Sequence, residues 1–281
     1  MNAKFGPAGN CDAFYASGRK ATIQAPAWLR EIGLDAYEFQ AGNGLRVSDS
    51  TLIAIGEQAK KHGIAMSLHT PYFISLSGVD PEKRLKSITY IKESLHAASL
   101  LGADIIVIHT GSAAKISREE ALGLAADTLY KTLEEIGDQP IKLGLETMGK
   151  INQLGTLEEV ISLCKIDPIF CPVVDWGHLN SRNVGGLFPD ADAYRRVFYA
   201  IGEALGDGYA KDLHCHFSKI EYTSAGEKRH LTFEDDIYGP HFEPLAEVIA
   251  KDSLSPRIIC ESAGTQATDA LFMKNTLKNL G

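Results

Sequence analysis

Residues 104–112, DIIVIHTGS, decide the fold. Their apolar part, residues 105–108, is the short, β-branched run typical of a strand that is buried on both faces. At its C-terminal end the sequence changes to an imidazole, a hydroxyl and a glycine turn, beginning with His109. Seven other stretches have the same pattern, and several of them also end in a side chain that can bind a metal.

The chain alternates between predicted strands and predicted helices along its whole length. Strands are predicted at residues 4–6, 36–39, 64–68, 105–108, 141–145, 170–174, 210–217 and 257–260, although Pro172 is awkward because proline donates no ladder hydrogen bond. Helices are predicted at residues 26–33, 49–62, 80–101, 117–136, 156–165, 190–205, 242–251 and 266–278. Residues 221–239 have no clear periodicity and are interpreted as a long functional loop.

Eight strand–helix units in alternation predict an α/β fold with a parallel sheet. We expect the sheet to close into a (β/α)8 barrel, the TIM barrel, as one domain over residues 1–281. The chain length agrees with this, because about 250 residues is typical of that fold. A doubly wound open sheet is the alternative, but its glycine-rich fingerprint is missing after the first strand.

Composition sets limits on the possible partners. The net charge of −8 lowers the expectation of a nucleic-acid partner, although bound cations can supply positive charge that a residue count misses. The five cysteines are odd in number and none is in C-x-x-C spacing, which favours buried thiols in a reducing compartment. No apolar run reaches the roughly 18–20 residues that span a bilayer. We therefore expect a cytoplasmic protein without a membrane partner, and a monomer.

Imidazoles and carboxylates follow most of the predicted strands. Because the C-terminal strand ends of such a barrel meet on one face, these side chains should converge there. The residues are His69, His109, Glu146, Asp175, His216 and Glu261, with His178 and His230 a little further along the chain. Each one alone could be structural, but six together would cost several kcal/mol in repulsion and desolvation without a cation. Six ligands exceed the needs of one tetrahedral zinc and suit two metals that share a carboxylate. The ligand types suit Zn²⁺, Mn²⁺ or Fe²⁺.

The chain resembles the endonuclease IV type of apurinic/apyrimidinic endonuclease, within the wider group of xylose isomerase-like barrels. The resemblance covers nearly the whole chain. It is carried, in order, by HTPYF at residues 69–73, ISL at 74–76, IHTGS at 108–112, LET at 145–147, DWGH at 175–178, His216 and CES at 260–262.

The resemblance implies a site with three zinc ions and hydrolysis of the DNA backbone 5′ to an abasic site, as in base-excision repair. Glu146 would bridge two ions. The implied ligands are His69 and His109 for the first ion, Asp175, His216 and Glu261 for the second, and His178 and His230 for the third. Tyr72 and Phe73 match positions at which the family contacts DNA beside the flipped-out sugar.

Two segments depart from the family pattern. The third-zinc motif is Asp-x-His, but residues 227–230 read EKRH, with Lys228 in place of the aspartate. Glu227 substitutes, or His214 helps, or the third metal is weak or missing, so two zinc ions are expected and the third stays open. In residues 40–46, QAGNGLR, the arginine that the family uses for the DNA backbone is displaced.

These observations lead to one preferred function and two rivals. The preferred function is metal-assisted phosphodiester hydrolysis, in which Glu146 positions the attacking hydroxide, while Lys228 and Arg229 supply charge in place of the third zinc. The first rival is a sugar isomerase or epimerase with one divalent metal and Glu146 and Glu261 as its catalytic acid/base pair. The second rival is a binding barrel without catalysis. The number of bound metal ions separates the preferred function from the first rival, because hydrolysis needs two or three ions and isomerisation needs one.

Overall fold

Eight parallel strands form a nearly closed barrel in the computed structural model, which describes residues 3–280. Two further strands form an antiparallel hairpin outside the barrel. In chain order the strands are β1 (Lys4–Pro7), β2 (Ala36–Gln40), β3 (Ala65–His69), β4 (Ile105–His109), β5 (Lys142–Glu146), β6 (Phe170–Asp175), β7 (His214–Phe217), the hairpin strands β8 (Ile220–Thr223) and β9 (Gly226–His230), and β10 (Arg257–Cys260). The barrel strands are ordered β1-β10-β7-β6-β5-β4-β3-β2, and a bridge between Ala8 and Glu38 joins the two ends. The predicted (β/α)8 fold is confirmed.

Helices surround the barrel. They are α1 (Asp12–Ala16), α2 (Ala25–Ile32), α3 (Asp49–His62), α4 (Pro81–Leu101), α5 (Arg118–Ile136), α6 (Leu157–Cys164), α7 (Trp176–Arg182), α8 (Ala191–Leu205), α9 (Asp207–Lys211), α10 (Glu243–Lys251) and α11 (Gln266–Lys278). The predicted capping box at Thr156 is present, since its hydroxyl accepts from Glu159 N and the Glu159 carboxylate accepts from Thr156 N. Ser117 caps α5 by accepting from Glu120 N. From residue 3 to residue 280, no helix is both long and apolar enough to cross a membrane.

The main apolar core lies between the outside of the barrel and the helices, whereas the inside of the barrel is divided. One side of the interior is apolar and contains Ile105, Val107 and Val173. The other side is polar and buried, with side chains that include Glu38, Ser67, His214 and His216. Apolar packing outside the barrel therefore carries much of the stability and leaves part of the interior free for charged groups.

Two local predictions differ from the structure, and the structure also explains how a third, the strand that contains Pro172, can form. The seventh strand begins at His214 rather than at residue 210, because Asp207–Lys211 is the short helix α9. The segment 221–239, interpreted as an irregular loop, contains most of the β8–β9 hairpin. Pro172 lies within β6 opposite Leu145 of β5, and pairing with β7 begins only at Val173. The missing proline N–H therefore falls before the β6–β7 ladder starts.

Candidate metal centre

The carboxyl ends of the barrel strands bring the candidate ligands together around one cavity of about 630 Å³. His69, His109 and Glu146 are the last residues of β3, β4 and β5. Asp175 ends β6, and Glu261 follows β10 directly. The cavity lining includes His69, His109, Glu146, His178, Glu227, His230 and Glu261. Asp175 and His216 are fully buried and belong to the ligand clusters described next.

The first cluster consists of His69, His109 and Glu146, whose ligand atoms all lie within 4.8 Å of one another. Glu146 Oε2 is 3.5 Å from His69 Nε2 and 3.2 Å from His109 Nε2. Two imidazole nitrogens and one carboxylate oxygen therefore face a common point, which is the arrangement that a divalent cation requires.

The second cluster consists of Glu146, Asp175, His216 and Glu261, and its ligand atoms also lie within 4.8 Å of one another. His216 Nδ1 is 2.9 Å from Glu146 Oε1 and 3.5 Å from Glu261 Oε1. Glu146 thus presents Oε2 to the first cluster and Oε1 to the second. This is the geometry of a carboxylate that can bridge two cations.

The third cluster consists of His178, Glu227 and His230. Glu227 Oε2 is 3.5 Å from His178 Nε2, and Glu227 Oε1 is 4.0 Å from His230 Nε2. The sequence left open whether Glu227 or His214 takes the place of the aspartate in the third site. The structure brings Glu227 to this cluster. His214 does not join it and contacts Glu38 instead.

The β8–β9 hairpin is joined to the loop that follows β5. Ile151 N donates to Ala225 O, and Glu227 N donates to Gly149 O, both at 3.1 Å. Gly226 lies at the contact with φ of +89°, and a Cβ there would be 2.2 Å from Gly149 O. Only glycine fits this position, which sets the distance of Glu227 from the barrel.

Lys228 and Arg229 lie on the outer side of the hairpin. Lys228 Nζ and Arg229 Nε contact the carboxylate of Glu221 at 2.5 and 2.6 Å. Neither side chain lines the cavity, and both are largely exposed. Lys150, which the sequence reading did not select, does line the cavity. The structure therefore does not bring Lys228 and Arg229 to the three clusters.

The carboxylates of the three clusters make ion pairs with imidazoles and, within the described residues, with no lysine or arginine. Burial works against the charge of Glu146, but the neighbouring imidazoles, His216 first, hold its pKa well below the usual value. Burial likewise works against the protonated form of His178, but the carboxylates around it, Asp175 first, raise its pKa to about 9. The site is thus strongly polarised and rich in negative charge.

The donor set fits a divalent cation. Glu146 Oε2 and Asp175 Oδ2 are buried and have no hydrogen-bond partner within the described residues. Buried polar atoms are nearly always satisfied, so two carboxylate oxygens that lie beside imidazoles without a hydrogen bond have the environment expected of cation ligands. Imidazole and carboxylate ligands without thiolates suit zinc or manganese.

Two aromatic side chains lie at the mouth of the barrel. Tyr72 is 57% exposed, and its ring stacks on His109 with centroids 5.5 Å apart. Phe73 is 51% exposed and packs edge-on against Tyr90. A Cβ at Gly42 would lie 2.2 Å from the Tyr72 ring, so the glycine allows this tyrosine to sit beside the cavity.

Sequence reasoning missed Glu38, which is completely buried in β2. Its carboxylate lies 3.1 Å from His216 Nε2 and 3.0 Å from His214 Nε2. The signal was present in residues 36–39, AYEF, because an acidic residue inside a strand that is buried on both faces needs a buried partner.

The protein is a (β/α)8 barrel, and its imidazoles and carboxylates gather at the carboxyl ends of the strands. It therefore belongs to the class of barrels that can hold divalent metals. A family model described as a xylose isomerase-like TIM barrel matches residues 26–276, and the chain belongs to this family.

Several relatives and solved structures are similar to the chain. A protein of Methanocaldococcus jannaschii is 26% identical over 250 residues, which cover 88% of each chain. A probable endonuclease 4 of Acholeplasma laidlawii is 28% identical over 216 residues, covering 71% of this chain and 69% of that protein. Endonuclease IV from Thermus thermophilus aligns with a TM-score of 0.72 at 19% identity, covering 98% of this chain and 99% of the other. A D-tagatose 3-epimerase-like protein aligns with a TM-score of 0.70, also at 19% identity, over 99% and 96% of the two chains. At these identities the two solved structures show the fold alone.

Proposed function

We propose that the chain is a divalent-metal-dependent phosphodiesterase that cleaves DNA at abasic sites, in base-excision repair. The observation that carries this proposal is the joining of two ligand clusters by Glu146, with a third cluster at the edge of the same cavity. Adjacent cations are the arrangement that suits in-line displacement at a phosphodiester. Relatives described as probable endonuclease 4 support the choice of substrate.

The residues that would hold the cations follow from the clusters. They are His69, His109 and Glu146 for the first, Glu146, Asp175, His216 and Glu261 for the second, and His178, Glu227 and His230 for the third. When bound, such cations activate water and neutralise phosphate charge. Zinc is the preferred ion, and manganese is compatible with the same ligands.

The chain's own side chains then position the substrate and move protons. Glu146 orients the attacking water and accepts its proton, and Glu261, which belongs to the second cluster, shares this role. Tyr72 and Phe73 pack against the DNA beside the abasic sugar. Lys150 contacts a phosphate at the cavity edge. The exposed Lys228 and Arg229 are available to phosphates outside the cavity.

The test is strand cleavage of a duplex that contains one abasic site. Glu146→Gln keeps the shape of the side chain and removes its charge, so the cleavage rate should fall by at least about 100-fold. The matched control is Asp127→Asn, the same change of charge on an outer helix, where Asp127 pairs with Arg84 and Lys131. This control should cut at the wild-type rate. Wild-type cutting by Glu146→Gln would overturn the proposal.

A sugar isomerase or epimerase is the second candidate. The second cluster alone offers four ligands, which is sufficient for one divalent metal. The D-tagatose 3-epimerase-like neighbour has the same fold. In this alternative Glu146 and Glu261 exchange protons with the sugar. One bound metal per chain, together with no cutting of abasic DNA by the wild-type protein, would favour it.

A further inference from the structure

Glu38 lies at the seam that closes the barrel, and its carboxylate is held from several directions. Its backbone carbonyl accepts from Gly9 N at 3.0 Å across the gap between β1 and β2. Its Oε2 accepts from Ser67 Oγ at 2.9 Å, and its Oε1 accepts from Gln40 Nε2 at 3.2 Å. A carboxylate this deeply buried must be paired, and fixing it in this way limits it to one orientation.

The two nitrogens of the His216 ring face different carboxylates. Nδ1 faces Glu146 and Glu261 of the second cluster, at 2.9 and 3.5 Å, whereas Nε2 makes an ion-pair contact of 3.1 Å with Glu38 Oε1 that lacks the alignment of a hydrogen bond. Oε2 of the same Glu38 carboxylate lies 3.0 Å from His214 Nε2. His214 and His216 are two residues apart on β7, so both side chains project to the same face of the strand.

We propose that Glu38 is a positioning residue that keeps Nε2 of His216 protonated and so makes Nδ1 the metal-binding atom when a cation is bound at the second cluster. In metal sites the tautomer of a ligating histidine is set by the partner of its other nitrogen, and a carboxylate is a common partner. The inference rests on the proposed function only in requiring that the second cluster binds a divalent cation.

The arrangement explains why an acidic residue occupies the interior of β2. Glu38 lies opposite Ser67 in the β2–β3 register, and Gln40 lies opposite the ligand His69. The residues that orient the carboxylate are therefore fixed by the strand pairing itself. Because the backbone of Glu38 also joins β2 to β1, barrel closure and the orientation of His216 depend on the same residue.

The first experiment reads the tautomer directly in the wild-type protein. Protein labelled with ¹⁵N in its histidines is studied by long-range ¹H–¹⁵N correlation, before and after addition of zinc, and His216→Gln assigns the signal. In the zinc-loaded protein we expect Nε2 of His216 to carry the proton, and Nδ1 to be the nitrogen whose signal changes when zinc is added. A proton on Nδ1 alone in the zinc-loaded protein would overturn the proposal.

The second experiment measures metal affinity by competition with a chromophoric chelator, with zinc alone as the probe. Glu38→Gln keeps the size of the side chain but presents an amide group to one of the two imidazoles. We expect about a 10–100-fold loss of affinity for one ion, while Asp127→Asn keeps the wild-type affinity. Equal affinities in wild type and Glu38→Gln would overturn this proposal alone, whereas a wild-type protein that binds no zinc would overturn the proposed function as well. If Glu38→Gln does not fold, the tautomer of His216 in the zinc-loaded wild-type protein decides whether the proposal holds.

Discussion

Glu227 is the residue by which the third cluster can be tested, because its neighbour Lys228 provides a matched control on the same strand. Glu227 faces His178 and His230, whereas Lys228 faces away and pairs with Glu221. We therefore compare Glu227→Gln with Lys228→Gln. Each changes one charge on β9, but only the first removes an anionic ligand from the third cluster.

The expected magnitude follows from the ligand count. The third cluster has three protein ligands, and Glu227 is its only carboxylate among the described residues. Loss of a residue that merely supports a ligand already costs about 10–100-fold in metal affinity. Replacing the carboxylate itself should cost at least this much, or about 1.4–2.8 kcal/mol. The other two clusters do not include Glu227 and should keep their affinities.

The assay is metal content by plasma mass spectrometry after dialysis against buffered free zinc, with titration calorimetry on the metal-free protein. Wild type and Lys228→Gln should hold three ions per chain, and Glu227→Gln should hold two. If Glu227→Gln retains a third ion with unchanged affinity, or if Lys228→Gln loses one, Glu227 is not the anionic ligand of the third cluster.

Three further predictions concern stability and binding. Burial raises the pKa of Glu159, but the contact with Arg118 outweighs burial and holds this pKa below its usual value. Glu159→Gln should therefore lower the free energy of unfolding at pH 7 by about 1–3 kcal/mol. That loss should shrink as the pH falls below about 4.3, where the carboxyl of the unfolded chain becomes protonated. Urea titrations of both proteins measure it, and a difference in the free energy of unfolding that stays constant down to about pH 3 would contradict the prediction. Gly6→Ala would place a Cβ 1.8 Å from Ala36 O and should cost about 3 kcal/mol, so an unchanged melting temperature would refute the packing argument. Tyr72→Ala should change the free energy of unfolding by less than about 0.5 kcal/mol, because the side chain is 57% exposed. The same change should weaken the binding of an abasic duplex by about 1–3 kcal/mol, as measured by fluorescence anisotropy. Equal affinity of the variant and the wild type would exclude Tyr72 from the DNA contact.

The barrel and most of its candidate ligands were predictable because both depend on short-range patterns. The apolar run before His109 is long enough to define a strand, and the change to polar residues marks its carboxyl end. Once eight such strands are parallel, their ends must share one face. The positions of His69, Glu146 and Glu261 then follow without knowledge of any side-chain contact.

The remaining features depend on the direction in which each side chain of a strand points and on the register between strands. The sequence alone defines neither. In a strand, neighbouring side chains point to opposite sides, so whether Glu227 or Lys228 reaches the cavity depends on how the hairpin docks. With residues 221–239 interpreted as a loop, Lys228 and Arg229 could be expected at the phosphate. Glu38 was missed for a related reason, since its partners His214 and His216 lie more than 170 residues away in the chain.

The contact between the β8–β9 hairpin and the loop after β5 couples the lengths of these two segments at the mouth of the barrel. The two segments share backbone hydrogen bonds on either side of Gly226, and Arg182 binds the carbonyls of Lys150 and Ile151. An insertion in one segment would displace Glu227 unless the other segment changed length with it. Evolutionary or engineered variation of the rim should therefore occur as paired changes in the two segments, and substrate preference would be retuned by exchanging both as one cassette.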